Sequence, residues 1–107
     1  MMNTDEQWLN PEAVIEAVCQ VSGLSRDTIL GRDRTQPVSM ARKIMCHLLY
    51  KRSNLSVEGI GHLMSHRDHT SILYLKKQAL LLPEYLVKIY RNKAELLHQQ
   101  ILNNVSM

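Results

Sequence analysis

Between Pro37 and Arg52 the apolar residues Val38, Ala41, Ile44, Met45, Leu48 and Leu49 stand at offsets 0, 3, 6, 7, 10 and 11. Only a helix gathers those offsets onto one face. Arg42, Lys43, Lys51 and Arg52 fall largely outside that stripe, so the spacing predicts a long helix with an apolar side and a basic side. The apolar residues elsewhere are mostly Leu, Ile, Val and Met, and the chain has no Phe. Such a set favours packed helices over an aromatic-rich sheet.

The flanking segments read the same way. Asn10-Pro11-Glu12 predicts a helix start, with Asn as N-cap, Pro at the first position and Glu in the first turn. Val14, Ala17, Val18 and Val21 continue it to Gly23, which ends it. Ser25 begins a short helix through Leu30, closed by Gly31. Arg32-Asp33-Arg34-Thr35-Gln36 is a polar, basic connector to the long helix at Pro37. Ser56 caps a short helix over Val57 to Met64, with Ile60, Leu63 and Met64 apolar. Ser65-His66-Arg67 breaks it. Asp68 then caps a helix through Leu82 at most, whose expected buried side is Ile72, Leu73, Leu75, Ala79 and Leu80. Pro83 ends or kinks that helix and starts another, with a stripe of Leu86, Ile89, Tyr90, Leu97 and Ile101. The tail from Asn103 to Met107 is expected to fray. The reading is an all-α, compact single domain of about six helices over residues 1–107, with no repeats and no linker.

A net charge of +3 conceals a polarity. Residues 1–30 carry one basic and five acidic side chains, whereas residues 31–79 carry nine basic and three acidic. A concentrated basic region is the footprint of a polyanion binder. No stretch approaches the roughly 18 apolar residues of a membrane span. Met1 to Glu6 is acidic without an apolar signal core, so no export signal is expected. Cys19 and Cys46 are unclustered and read as reduced, buried thiols of a cytoplasmic protein.

The segment Asn54 to Leu73 is the most informative for function. It reads as a short helix, a tight turn and a second helix. Gly59 and Gly61 allow close approach by a neighbouring helix or a phosphate backbone. The second helix opens with Arg67, Asp68, His69, Thr70 and Ser71, all polar and within one turn. A helix-turn-helix presents the start of its second helix to base edges in the major groove of double-stranded DNA. Arg suits guanine, Asp accepts from cytosine, and Thr meets the thymine methyl.

Arg67-Asp68-His69-Thr70-Ser71-Ile72-Leu73 resembles the signature of the C-terminal DNA-binding domain of bacterial replication initiators of the DnaA family. Asn54-Leu55-Ser56 with Ile60-Gly61 matches that family's first motif helix in register. Gly31-Arg32-Asp33-Arg34 and Val38-x-x-Ala41-Arg42 resemble its basic loop and the start of its long helix. The likeness spans about Val14 to Lys77. It implies a Trp-repressor-like helix-turn-helix that binds duplex DNA sequence-specifically, in control of replication initiation or of transcription. It further implies that Arg34 enters the minor groove and that Arg42, aided by Lys43, holds a phosphate. Asp68, His69 and Thr70 would meet bases, with Arg67 and Ser71 at or beside the backbone. Arg32 joins Arg34, Arg42 and Lys43 in the salt-dependent encounter. The sequence departs from the family pattern at Ser65 and His66, where two glycines are usual, at Glu58, where Pro is usual, and at Tyr74-Leu75, where His-Ala is common. The preferred site is therefore left open.

No Gly-rich loop ending in Lys-Ser or Lys-Thr occurs, so no nucleotide and no cofactor is expected. The chain reads either as a stand-alone nucleoid-associated protein, which its acidic start and long last helix fit somewhat better, or as a fragment excised from a longer initiator. His62, His66 and His69 would align on one continuous helix, but the turn at Ser65 breaks that line and no paired-Cys pattern accompanies them, so no metal is expected. Scattered carboxylates without a nucleophile-base pair argue against an enzyme. The competing reading is an interaction module that kept the fold, lost specific DNA binding and forms a homodimer through the C-terminal helix. The simpler role for that helix is packing on its own domain.

Overall fold

The computed structural model describes residues 7–105. The acidic start at Met1 to Glu6 and the last two residues lie outside the described residues. Six helices follow one another: α1 (Pro11–Ser22), α2 (Arg26–Leu30), α3 (Gln36–Arg52), α4 (Val57–Leu63), α5 (His69–Ala79) and α6 (Glu84–Val105). There is no strand among the described residues, and the chain is the all-α domain its spacing predicts.

The caps explain the boundaries. The Asn10 side chain accepts the Glu12 N–H, and Gly23, at φ 77°, closes α1 by donating to the Cys19 carbonyl. Ser25 caps α2, Ser56 caps α4 and Asp68 caps α5, each through a backbone N–H three residues on. These bonds satisfy helix donors that have no partner within the helix.

Helix α3 is the central beam. Val38, Ala41, Ile44, Met45, Leu48 and Leu49 are all buried along it, as the offsets predict. All but Val38 join Val14, Ile15 and Val18 of α1, Ile29 of α2, Ile60 and Met64 around α4, and Ile72 of α5 in one core. Ion pairing supports the frame at the edge: Arg52, at the end of α3, holds Glu95 of α6 at 2.8 Å. Lys76 of α5 lies 3.3 Å over the Tyr50 ring of α3. Cys46 is buried and Cys19 half-buried, and both are free thiols. Burial pushes the Cys46 thiol up to about 12, so it is inert as a nucleophile.

Three details differ from the spacing-based expectation. Leu73 and Leu80 are 47% and 69% exposed. The buried arc of α5 is Ile72, Leu75 and Ala79; Leu73 sits about 100° off that arc, and Leu80 follows the last helical residue. On α6, Val87, Tyr90, Ala94 and His98 are buried, while Ile89 is 52% exposed. That helix packs chiefly along α1, and it continues past Asn103 to Val105. Finally, Arg42 is 7% exposed, although its residue type placed it on the basic side of α3.

Candidate nucleic-acid interface

Helices α4 and α5 form a helix-turn-helix whose turn is unusually tight. The Arg67 N–H donates to the Gly61 carbonyl at 3.0 Å. A Cβ added at Gly61 would overlap the Arg67 carbonyl oxygen. The chain can therefore fold back onto α4 only because position 61 has no side chain. Ser65 and His66 carry it round at φ 62° and 58°, the left-handed region that disfavours L side chains. Asp68 then accepts the Ser71 N–H at 2.8 Å. Hydrogen bonds from Ser71, its backbone N–H foremost, hold the Asp68 carboxyl below its usual range. The polar first turn of α5 is thereby fixed at the surface, with His69 and Thr70 exposed.

The basic loop is fixed from two sides. Asp33 accepts both the Thr35 N–H at 2.8 Å and the Thr35 hydroxyl at 2.7 Å, an Asx turn that shapes the entry to α3. These bonds, the backbone one first, keep the Asp33 carboxyl below its usual range. From beneath, Arg42 donates through Nε to the Ile29 carbonyl at 2.8 Å and through Nη2 to the Gly31 carbonyl at 3.0 Å. Arg67 donates through Nη2 to the same Gly31 carbonyl at 2.6 Å, and through Nη1 to Leu30 and Met64 at 2.9 Å. Two guanidiniums thus converge on one carbonyl and tie α2, α3 and the motif turn together. Burial lowers the proton affinity of Arg67, and the nearby charges of Arg42 and Arg32 lower it further. Three like charges in one place favour the arrival of a polyanion.

These parts enclose a recess of about 600 Å³. Arg32, Arg34, Arg42 and Lys43 line it from the loop and α3, and Arg67, Asp68, Thr70 and Ser71 from the turn and α5. The structure thus brings together eight of the residues singled out from sequence. His69 lies across the first turn of α5, in a smaller recess of about 200 Å³ that also contains Asp68 and Arg67. The Arg42 guanidinium is held by the Ile29 and Gly31 carbonyls through Nε and Nη2 while it also lines this recess. Arg34 and Arg32 are exposed and Lys43 half-buried. Ser39, Tyr74 and Leu75 also line the larger recess; none is among the DNA-contacting residues read from the sequence, where Tyr74 and Leu75 stand out only as departures from the family pattern. Tyr74 offered a signal: it lies one turn after Thr70 on the same face of α5 and remains 59% exposed.

The fold and this site define a class: an all-α helix-turn-helix domain with a basic loop packed beside the polar start of its second helix. The family model described as the bacterial dnaA protein helix-turn-helix matches residues 11–78, from the first residue of α1 almost to the end of α5. The chain belongs to that family. It is 32% identical over 88 residues to the chromosomal replication initiator protein DnaA of Synechococcus sp. (strain JA-2-3B'a(2-13)), covering 76% of this chain and 19% of that protein. It is 33% identical over 92 residues to the same initiator of Leifsonia xyli, covering 86% of this chain and 20% of that protein. The initiator of Thermodesulfovibrio yellowstonii is 36% identical over 67 residues, covering 63% of this chain and 15% of that protein. The chain thus spans about a fifth of the length of these curated relatives. No solved structure matches it.

Proposed function

We propose that this domain binds double-stranded DNA sequence-specifically, with α5 in the major groove, and acts in replication initiation control. The observation that carries the reading is the shared recess: the basic loop and the polar first turn of α5 form one surface. Exposed Arg32 and Arg34, with Lys43, neutralise phosphates, and Arg34 reaches toward the minor groove beside the reading helix. His69 and Thr70, with Asp68, meet base edges. Ser71 stands at the backbone. Arg42 and Arg67 act as positioning residues that hold the loop at its distance from α5. Membership of the initiator family supports the DNA partner, and no helix among the described residues is long and apolar enough to cross a membrane.

The roles separate in a binding experiment on purified variants. Thr70→Ala should cost about 1–3 kcal/mol on the preferred duplex and relax its preference at one base pair. Arg32→Ala should weaken all duplexes alike and reduce the slope of log affinity against log salt by about 0.9. Uniform loss with both variants, with no change in base preference, would contradict base reading by α5.

A further inference from the structure

The two recesses flank the first turn of α5 but differ in charge. The loop side carries Arg32, Arg34 and Lys43, which are charged at every physiological pH. The other side is lined by Glu58, His62, His66 and His69, with Asp68 and Arg67 at its inner edge. The turn at Ser65 does not scatter the histidines as the broken helix line suggested. The His62 and His66 rings meet edge to face, 5.5 Å between centroids, and both are exposed. Glu58, one turn earlier on α4, is 3.9 Å from His62 Nε2 and its side chain is 81% exposed.

The charges facing this pair are few. Asp68 is committed to the Ser71 N–H, and the Arg67 guanidinium is turned onto the carbonyls of Leu30, Gly31 and Met64. With neutral imidazoles the lining holds two carboxylates, Glu58 and Asp68, against one guanidinium, so the recess is negative. Protonating His62 and His66 reverses that sign. No group of three or more His, Cys, Asp or Glu among the described residues is placed to hold a metal. A helix lying in the major groove has a phosphate backbone on each side, about 12 Å apart. The loop serves one side.

We propose that His62 and His66 hold backbone phosphate on the other side, in their protonated form, so that duplex binding tightens on acidification. The inference rests on the DNA reading above and adds an acid-dependent contact to it. His62 is on α4, and His66 stands where the family resemblance leads one to expect a glycine, so neither belongs to the polar heptad from Arg67 to Leu73. DNA captures the protons because a phosphate favours imidazolium over imidazole.

The test is fluorescence anisotropy with one duplex at about pH 7.5 and about pH 5.5, with circular dichroism at both to verify folding. The wild type is compared with the double variant His62→Gln, His66→Asn, since Asn tolerates the left-handed backbone of residue 66. The wild type should bind about tenfold or more tighter at the lower pH, since each captured proton contributes up to about tenfold per pH unit. Its salt slope should steepen by about 0.9 for each added phosphate contact. The double variant should lose most of that gain. Duplex binding with the same pH dependence in both proteins would overturn the inference and leave the DNA reading intact. No duplex binding at either pH would overturn the DNA reading, and this inference with it.

Discussion

Arg34 and Arg42 carry the same charge and are held in opposite ways. Arg34 is exposed on the loop, while Arg42 is 7% exposed and hydrogen-bonded to the carbonyls of Ile29 and Gly31. Hydrogen bonds made by a charged group contribute about 1.5–3 kcal/mol each. Arg42→Lys replaces a fork that reaches two carbonyls with a single ammonium. It should lower the unfolding free energy by about 1–3 kcal/mol in urea titration, whereas Arg34→Ala should leave that free energy within about 0.5 kcal/mol of wild type. Equal destabilisation by both would contradict the division between positioning and contact. The motif turn supplies a second residue-scale expectation. Ser65 and His66 occupy left-handed backbone, which costs an L residue about 1–2 kcal/mol. Glycine there gains most of that and loses about 0.5–1 kcal/mol to its freer unfolded chain. Ser65→Gly should therefore raise stability by up to about 1 kcal/mol, seen as a higher thermal midpoint; a lower midpoint would show that the turn is not strained.

At the scale of elements, α1, α3 and the caps were legible because their evidence is local. An Asn-Pro-Glu start, a Gly stop and an unbroken apolar stripe need no knowledge of the neighbours. Helix α6 was only half legible. Its apolar residues outnumber the places under α1, and counting them selected exposed Ile89 over buried Val87, Ala94 and His98. Ala94 is fully buried, which makes it a probe of that packing. Ala94→Leu should destabilise the domain by about 1–3 kcal/mol through overpacking. No residue of α6 lines either recess, so duplex affinity should be unchanged where the variant is folded. His98 shows what spacing cannot reveal: its Nδ1 accepts the Asn10 N–H at 3.0 Å, a tie across nearly the whole chain. The candidate site was legible for the same reason as α3 wherever it is one contiguous segment, Arg67 to Ser71. The inward turn of Arg42 and the shared recess of Glu58, His62 and His66 depend on tertiary packing and were not.

For the molecule as a whole, acidification should act on fold and interface in opposite directions. Burial, reinforced by Lys51 and Arg91 and opposed by Glu84, holds His47 below its ordinary 6.5. A histidine whose folded pKa is depressed favours the unfolded chain when protonated. Its stabilising share is therefore present above the unfolded pKa and declines as pH falls through that value toward the folded pKa. The thermal midpoint should drop as pH falls below 6.5, and His47→Gln should flatten that part of the profile. An unaltered profile in the variant would remove His47 from the account. The recess lined by Arg32, Arg34, Lys43 and the first turn of α5 is the surface proposed to receive a polyanion. The most direct measurement of that claim is anisotropy binding of the purified chain to two duplexes across a salt series. One carries the nine-base-pair box expected of the initiator family, and the other is a scrambled sequence of equal length and composition. The account predicts tighter binding to the box at every salt concentration, a negative slope of log affinity on log salt for both, and loss of the difference on changing His69 or Thr70 to Ala. Absence of binding to either duplex at low salt would contradict it.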